Sequence, residues 1–234
     1  MHIKRRDITE NITKDIIGWD VKSWSGGLHF WEEHVEWPQI RQALELGGRE
    51  GGLSLWLALK GIPTVCSDLS DVQRTASPLH ENYPVGSLIR YQDIDATRIP
   101  YNDYFDIIVF KSILGGIGRN NDKEKQREVL RQIHKALKPG GKLLFAENLI
   151  SSPVHQKLRK KALNWGNYWR YISSEEMREF LADFSGFEIK TTGFTATLGR
   201  TEKQRNFLAG LDRLCFNKIV PSSWHYIIYG YAVK

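Results

Sequence analysis

The fold is decided by "ALELGGREGGLSLWLALKG", residues 43–61. "ALEL" is an apolar run of the length of a buried strand, and "GLSLWLALKG" is a helix-length apolar stretch ended by Gly61. Between them lies a turn with glycines at 47, 48, 51 and 52. Glycine permits positive φ and lets backbone N–H groups approach a ligand. The start of the following helix adds partial positive charge. A tight strand-to-helix turn with no ligand explains the same residues. The dinucleotide fingerprint G-x-G-x-x-G fails, because Arg49 holds its third position when counted from Gly47. The phosphate loop G-x-x-x-x-G-K-[ST] fails too, because no Lys-Ser or Lys-Thr follows the turn.

Outward from this stretch, strands and helices alternate. "IPTVCSD" (62–68), "SLIRYQDID" (87–95), "YFDIIVFKS" (104–112) and "KLLFAENL" (142–149) read as strands. "DVQRTASPLHENY" (71–83) reads as a helix with Pro78 as an obstacle inside it. "NDKEKQREVLRQIHKALKPGG" (121–141) is the clearest amphipathic helix, with Val129, Ile133 and Leu137 four residues apart and Pro139-Gly140-Gly141 as its stop. Apolar, non-alternating strands separated by helices imply a mainly parallel sheet covered on both faces. Upstream, "GLHFWEEHVEW" (27–37) reads as a helix. Downstream the rhythm breaks: two helices, 152–164 and 174–183, precede the strands "GFEIKTTGF" and "SWHYIIYGYAVK". Ser173 and Glu176 have capping-box spacing for the second of those helices. A chain ending strand after strand favours an antiparallel edge pair.

The 234 residues suffice for one α/β domain, 1–234, with an N-terminal cap segment (1–38), a core (39–150) and a C-terminal part (151–234). The composition is 41% hydrophobic and 26% charged, with formal charge +6. That mild basic bias suits an acidic partner or a plain solvated surface alike. Cys66 and Cys215 lie far apart and have no metal-ligand spacing, so no metal is expected and a reducing compartment is the default. No apolar run approaches a transmembrane span, and the first residues lack the apolar core of a signal peptide, so a cytoplasmic location is expected.

The remaining pattern, Glu45-x-Gly47-x-Arg49-x-Gly51, resembles the E/D-x-G-x-G-x-G loop of class I S-adenosylmethionine-dependent methyltransferases, with one glycine replaced. Three other features are similar to that family. Asp68 closes the second strand 21 residues after Gly47; "DATRIPY" (95–101) follows the third strand; and "LKPGG" (137–141) precedes the fifth. The resemblance implies a Rossmann-like three-layer sandwich around a seven-stranded, mostly parallel sheet with one antiparallel strand near the C-terminus. It implies S-adenosyl-L-methionine as cofactor. Glu45 would orient the methionine amino end, and Gly47, Gly48 and Gly51 would lie against methionine and ribose. Asp68 would hold the ribose hydroxyls, Leu69 would pack on adenine, and Asp95 and Ala96 would read the adenine. Lys111 would line the methionine side. For Asp68 and Asp95, a helix cap and a turn aspartate are the plain alternatives. Arg49 would pair with the methionine carboxylate, a bidentate contact suited to arginine, or face solvent beside Glu50.

The acceptor side departs from the family. Where many relatives carry a histidine pair after the fourth strand, this chain has Gly115 and Gly116, which removes that base and opens space for a bulky acceptor or another element. His29, Lys111 and Glu147 are the candidate catalytic groups, with Asn148 and His34 nearby in the pattern. Trp19, Trp24, Trp31 and Trp37 cluster early, and Trp165, Tyr168, Trp169 and Tyr171 follow the basic run "HQKLRKK". Tryptophan faces stack on sugars and cations, and they also fill cores. Beside Lys157, Arg159, Lys160, Lys161 and Arg170 they suit a glycan, a lipid-linked sugar or another anion. The C-terminal stretch from Phe194 loosely resembles methyltransferases of bacterial surface-polysaccharide pathways. The expected reaction is methyl transfer to a small-molecule or saccharide acceptor, at oxygen. An RNA methyltransferase and an inactive S-adenosylmethionine-binding protein of the same fold are the alternatives.

Overall fold

The computed structural model describes residues 10–162 and 168–234. The described residues form one seven-stranded sheet: β1 Ala43–Leu46, β2 Thr64–Asp68, β3 Ile89–Asp93, β4 Phe105–Lys111, β5 Leu137–Asn148, β6 Gly186–Thr192 and β7 Ile227–Val233. Their order is β3-β2-β1-β4-β5-β7-β6. β1 to β5 pair in parallel, and β7 runs antiparallel to both β5 and β6. This is the expected sheet with its single reversed strand. The order turns back at β1, between β2 and β4. That switch point opens a crevice at the carboxyl ends of the strands.

The helices are α1 Glu10–Ile17, α2 Val21–His34, α3 Gly52–Leu59, α4 Val72–His80, α5 Leu114–Ile117, α6 Lys123–Ala136, α7 Pro153–Ala162, α8 Ser174–Phe180, α9 Glu202–Leu211 and α10 Asn217–Ile219. Alternate strand residues feed two cores. Ala43, Ile107, Val109 and Leu144 pack with Ile16, Trp24, Trp31, Trp56 and Val72 from α1 to α4. Leu44, Ile108, Phe110 and Leu143 pack with Val129, Ile133, Met177 and Phe180 from α6 and α8. Burial on both faces explains why the central strands read as continuous apolar runs.

Some boundaries differ from the sequence reading. The N-terminal helix α2 begins at Val21 and ends at His34, ahead of the expected 27–37. α6 stops at Ala136, and Leu137 is already extended and pairs with Phe105. Gly140 at φ +76° then carries the chain through an irregular register before Lys142 pairs with Ile107. Leu137 keeps the helical spacing only because strand and helix bury it in the same core. Pro78 lies inside α4 without ending it. The Ser173–Glu176 capping box forms as expected, with both reciprocal hydrogen bonds present.

Of the four early tryptophans, Trp24 and Trp31 are buried core residues, and Trp31 Nε1 donates to the Gly230 carbonyl at 2.9 Å. Trp37 packs edge-on against Trp56 under Lys60. α1 ends on the start of α3: a Cβ on Gly52 would meet the Ile16 carbonyl oxygen at 2.1 Å, so only glycine lets the N-terminal segment settle there.

Candidate functional site

The turn after β1 is set by three left-handed residues at alternate positions, Gly47 (φ +62°), Arg49 (φ +51°) and Gly51 (φ +77°). Arg49 therefore adopts the conformation of the glycine it replaces. Its N–H donates to Asp68 Oδ2 at 2.9 Å, which holds the loop against the end of β2. Its side chain is 79% exposed and comes no closer than 4.0 Å to Glu50. Glu50 is thus the acid beside it in this structure.

Glu45 is buried and reaches under the loop. Its two oxygens accept the N–H groups of Leu53 (3.2 Å) and Ser54 (2.8 Å), the first turn of α3. Burial pushes its carboxyl up to about 7, against those hydrogen bonds and the nearby charge of Lys111. In this arrangement Glu45 anchors the loop to the helix. A side chain at Gly48 would collide with that carboxylate at 2.9 Å, and one at Gly47 would meet Ile113 Cγ2 at 2.4 Å.

His80, the last residue of α4, supports the loop and was missed by the sequence reading. It is buried, its Nε2 lies 2.8 Å from the Gly51 carbonyl oxygen and its Nδ1 2.8 Å from the Tyr91 hydroxyl. The carbonyl can only accept, so Nε2 carries the proton and Tyr91 donates to Nδ1. Burial lowers its pKa, which keeps the ring neutral. The only sequence signal was a histidine in a weakly amphipathic helix.

At the end of β2, Asp68 is half-buried, and Leu69 is 69% exposed at its side. Asp68 Oδ1 also accepts the Leu69 N–H at 2.7 Å. At the end of β3 the helix-capping carboxylate is Asp93, which accepts from the N–H groups of Asp71 and Val72. Asp95 instead closes a local turn: its Oδ1 accepts from the Thr97 N–H (2.8 Å) and hydroxyl (2.7 Å), which lowers its pKa. Ala96 beside it is half-buried. The structure therefore brings Gly47, Arg49, Gly51, Asp68 and Leu69 to one rim, with Asp95 and Ala96 just past the neighbouring strand.

The rim of β4 and β5 is built differently. Lys111 ends β4 with its Nζ 5.0 Å from the ring centre of Trp19 and 4.9 Å from that of Trp24. Among the described residues it makes no ion pair. Burial lowers its pKa to about 8, opposed by the surrounding charges of Glu45, Glu147 and Asp20. Asp20, between α1 and α2, is buried and accepts from Ser23 Oγ (2.7 Å) and the Tyr226 hydroxyl (2.5 Å); burial raises its pKa to about 6.

Glu147 is fully buried, and burial raises its pKa to about 7. Its oxygens accept the N–H groups of Leu114 (2.8 Å) and Asn148 (2.8 Å). It therefore braces α5. Asn148 Nδ2 donates to Ser112 Oγ at 2.5 Å. The space at Gly115 and Gly116 is filled from the C-terminal part: a Cβ on Gly115 would lie 1.6 Å from Trp169 Nε1. Of the two occupants the glycines allowed, the structure places another element there.

Other expected residues lie elsewhere. His29 is exposed on α2 and lines a separate cavity of about 370 Å³ with Phe30, Lys190, Asp212 and Tyr229, away from the cofactor loop. His34 contacts Glu188 and the Phe30 carbonyl. Arg170 is engaged with Asn121, Gln126 and Glu176, so it is not available to an anion. Lys157 and Tyr168 are exposed. Trp165 and the side chains of Arg159, Lys160 and Lys161 lie outside the described residues.

Residues 44–145 match a family model described as a methyltransferase domain. The chain is 35% identical over 150 residues to the ubiquinone/menaquinone biosynthesis C-methyltransferase of Shewanella sp. (strain ANA-3), a match covering 58% of this chain and 55% of that protein. The match thus spans about half the length of that relative. Among solved structures, phosphoethanolamine N-methyltransferase 2 of Haemonchus contortus, in complex with S-adenosyl-L-methionine, aligns with TM-score 0.64 and 18% identity over 98% of this chain and 58% of that one. The [4+2]-cyclase SpnF aligns with TM-score 0.55 and 17% identity over 83% of this chain and 74% of that one. At such identities the likeness shows the fold alone, and the cyclase shows that this fold carries more than one chemistry. None of these matches carries the surface-polysaccharide resemblance. No helix among the described residues is long and apolar enough to cross a membrane.

Proposed function

We propose that the protein, whose residues 44–145 match a family model described as a methyltransferase domain, uses S-adenosyl-L-methionine to transfer a methyl group to a small-molecule acceptor over the ends of β4 and β5. The observation that best supports this is the pairing of donors and apolar surface along one rim. Leu69, 69% exposed beside Asp68, offers a face for adenine. Asp68 sits where ribose hydroxyls would meet an acceptor, and Asp95 and Ala96 flank the adenine position. Gly47, Gly48 and Gly51 shape the loop, with Glu45 holding it from beneath. At the far end Lys111 supplies a cation without an ion-pair partner, and the buried Trp24 Nε1 a donor without a hydrogen-bond partner, among the described residues. Those are the groups a methionine carboxylate requires, so the residues fit the cofactor.

When bound, the cofactor supplies an electrophilic methyl carbon: the acceptor's electron pair makes the new bond as the carbon–sulfur bond breaks and its pair passes to sulfur. This chain's contribution is position. Trp19, from the turn between α1 and α2, and Trp24 of α2 lie over Lys111, and α5 fixes the floor. Aligning two reactants supplies much of the rate for such a displacement.

The sequence suggested an oxygen or saccharide acceptor. The resemblance to a quinone C-methyltransferase favours a ring-carbon acceptor instead, and the engagement of Arg170 removes one of the cations on which the glycan reading leaned. Calorimetric titration of the full chain with S-adenosylhomocysteine is expected to show binding that Asp68→Ala weakens at least tenfold. Absence of binding to the unmodified chain overturns the enzyme reading. In a labelled-methyl assay, label is expected in a demethylated quinol pool. Label in oligosaccharide, or in RNA with a steep loss on adding salt, replaces that acceptor.

A further inference from the structure

We infer that the exposed face of residues 198–224 is a docking surface for an anionic phospholipid bilayer. Among the described residues, five of the ten exposed large apolar side chains fall in this stretch, and Phe207, Leu214 and Ile219 are 68%, 72% and 76% exposed. Side chains of that size gain from leaving water, and several of them exposed together mark an interaction surface.

The chain builds this face by fixing the opposite one. α9 turns Ala209 into the core and runs on into a π-turn over Asp212–Phe216. Asp212 is buried there, and its carboxylate accepts the N–H groups of Phe194 (2.9 Å), Thr195 (2.9 Å) and Ala196 (3.0 Å). With that side anchored, spacing places the rest. Lys203 precedes Phe207 by one helical turn, and Leu214 follows it by two. Leu214 and Ile219 are five residues apart, the hydrogen-bond spacing of a π-turn. Bases and apolar groups therefore share one side of the element.

The free charge on this side has one sign. Arg200, Lys203 and Lys218 are exposed and make no ion pair among the described residues. The two acids of the stretch are both engaged: Asp212 with the N–H groups above, and Glu202 with the Val21 N–H (2.8 Å) and Arg205 (3.5 Å). Cations interleaved with apolar groups select the occupant. Protein interfaces are depleted in lysine, and a symmetric contact with a second copy would set these bases against each other. A bilayer takes both kinds of group. Apolar side chains enter the acyl boundary, while lysines carry their ammonium up to anionic head groups. No helix among the described residues is long and apolar enough to cross a membrane, so the contact is a peripheral one. The docking element also reaches the proposed transfer site. Through Glu202, α9 holds the first turn of α2, which carries Trp24 over Lys111. Docking itself requires nothing of the cofactor site.

The test is cosedimentation of the full chain with vesicles of phosphatidylglycerol and phosphatidylcholine mixed in about equal parts. Wild type is expected to bind them at least tenfold more tightly than pure phosphatidylcholine vesicles, and less tightly as salt rises. Two variants, Phe207→Ser with Leu214→Ser and Ile219→Ser, and Lys203→Glu with Lys218→Glu, are each expected to weaken binding at least tenfold. Lys125→Glu with Lys135→Glu makes the same charge change on α6, against the other face of the sheet, and is expected to leave binding within about threefold. All the replaced side chains are exposed, so the thermal midpoints are expected to stay within a few degrees of wild type; should the serine variant unfold early, the lysine pair decides. Absence of wild-type binding overturns the inference, and so does a serine or Lys203/Lys218 variant that is folded and binds like wild type. Equal losses from the two charge reversals would reduce the contact to net charge and overturn it as well. With vesicle binding absent, a dimer in sedimentation velocity that the serine variant abolishes assigns the face to a second copy, and retention on polyglutamate assigns it to an acidic protein.

Discussion

The turn after β1 and the turn after β4 solve one problem with parts drawn from different distances. Each leaves a parallel strand, passes a left-handed residue (Gly47 at φ +62°, Ser112 at φ +59°) and starts a helix whose first N–H groups need acceptors. In both a buried glutamate provides them. Glu45 acts within its own strand–turn–helix unit, nine residues from Ser54. Glu147 acts across to the neighbouring strand's turn, 33 residues from Leu114. The first turn leads into a helix of eight residues, and the second into four residues whose flank is closed by Trp169. A turn whose buried glutamate comes from its own strand, with Asp68 and His80 tying it to its neighbours, can be kept rigid for a constant ligand. A turn closed from elsewhere lets its surroundings change with the acceptor, at the cost of depending on the whole fold.

The sharpest way to break this comparison is to remove each glutamate in turn. Glu45→Ala and Glu147→Ala both strand buried N–H groups and are expected to lower stability by about 2–4 kcal/mol each in urea unfolding. They should differ in binding. Calorimetry is expected to show S-adenosylhomocysteine binding lost in Glu45→Ala and retained within a few-fold in Glu147→Ala; equal losses would mean that the two turns are not functionally separate.

A smaller effect separates their electrostatics. Both carboxyls have folded pKa values raised from 4.5 to about 7 by burial. The folded protein then binds more protons than the unfolded chain between those limits, so their contribution is complete below pH 4.5 and is lost as pH rises through about 7. Lys111, lowered from 10.5 to about 8, acts in the other direction, adding stability as pH rises from 8 to 10.5. Glu147→Gln is expected to flatten the decline between pH 4.5 and 7 by roughly 1–3 kcal/mol. An unchanged slope would show that Glu147 is already ionised in the fold.

The smallest change tests the loop at Arg49. Its left-handed backbone costs a non-glycine residue about 1 kcal/mol. Arg49→Gly is expected to stabilise the protein by about that amount, and Arg49→Ala to leave S-adenosylhomocysteine affinity within twofold, since the side chain is 79% exposed and its one near acid is Glu50. A large affinity loss in Arg49→Ala would restore the carboxylate pairing.

The chain's pattern alone determined the sheet, the reversed strand, the glycine turn and the acids at the strand ends. Each depends on neighbours close in sequence: apolar runs buried on both faces, glycine where φ is positive, a carboxylate one turn from the N–H groups it meets. Tertiary structure decided the rest. That Arg49 would take the left-handed backbone depends on Asp68 accepting its N–H. That His80 would hold Gly51, and that Trp24 and Trp31 would be core while Trp19 stays 41% exposed, follows from how α1 and α2 settle on the sheet. The fate of Gly115 and Gly116 depended on a tryptophan more than fifty residues away. The sequence showed space there; only close packing between distant segments, which no local period encodes, showed what fills it.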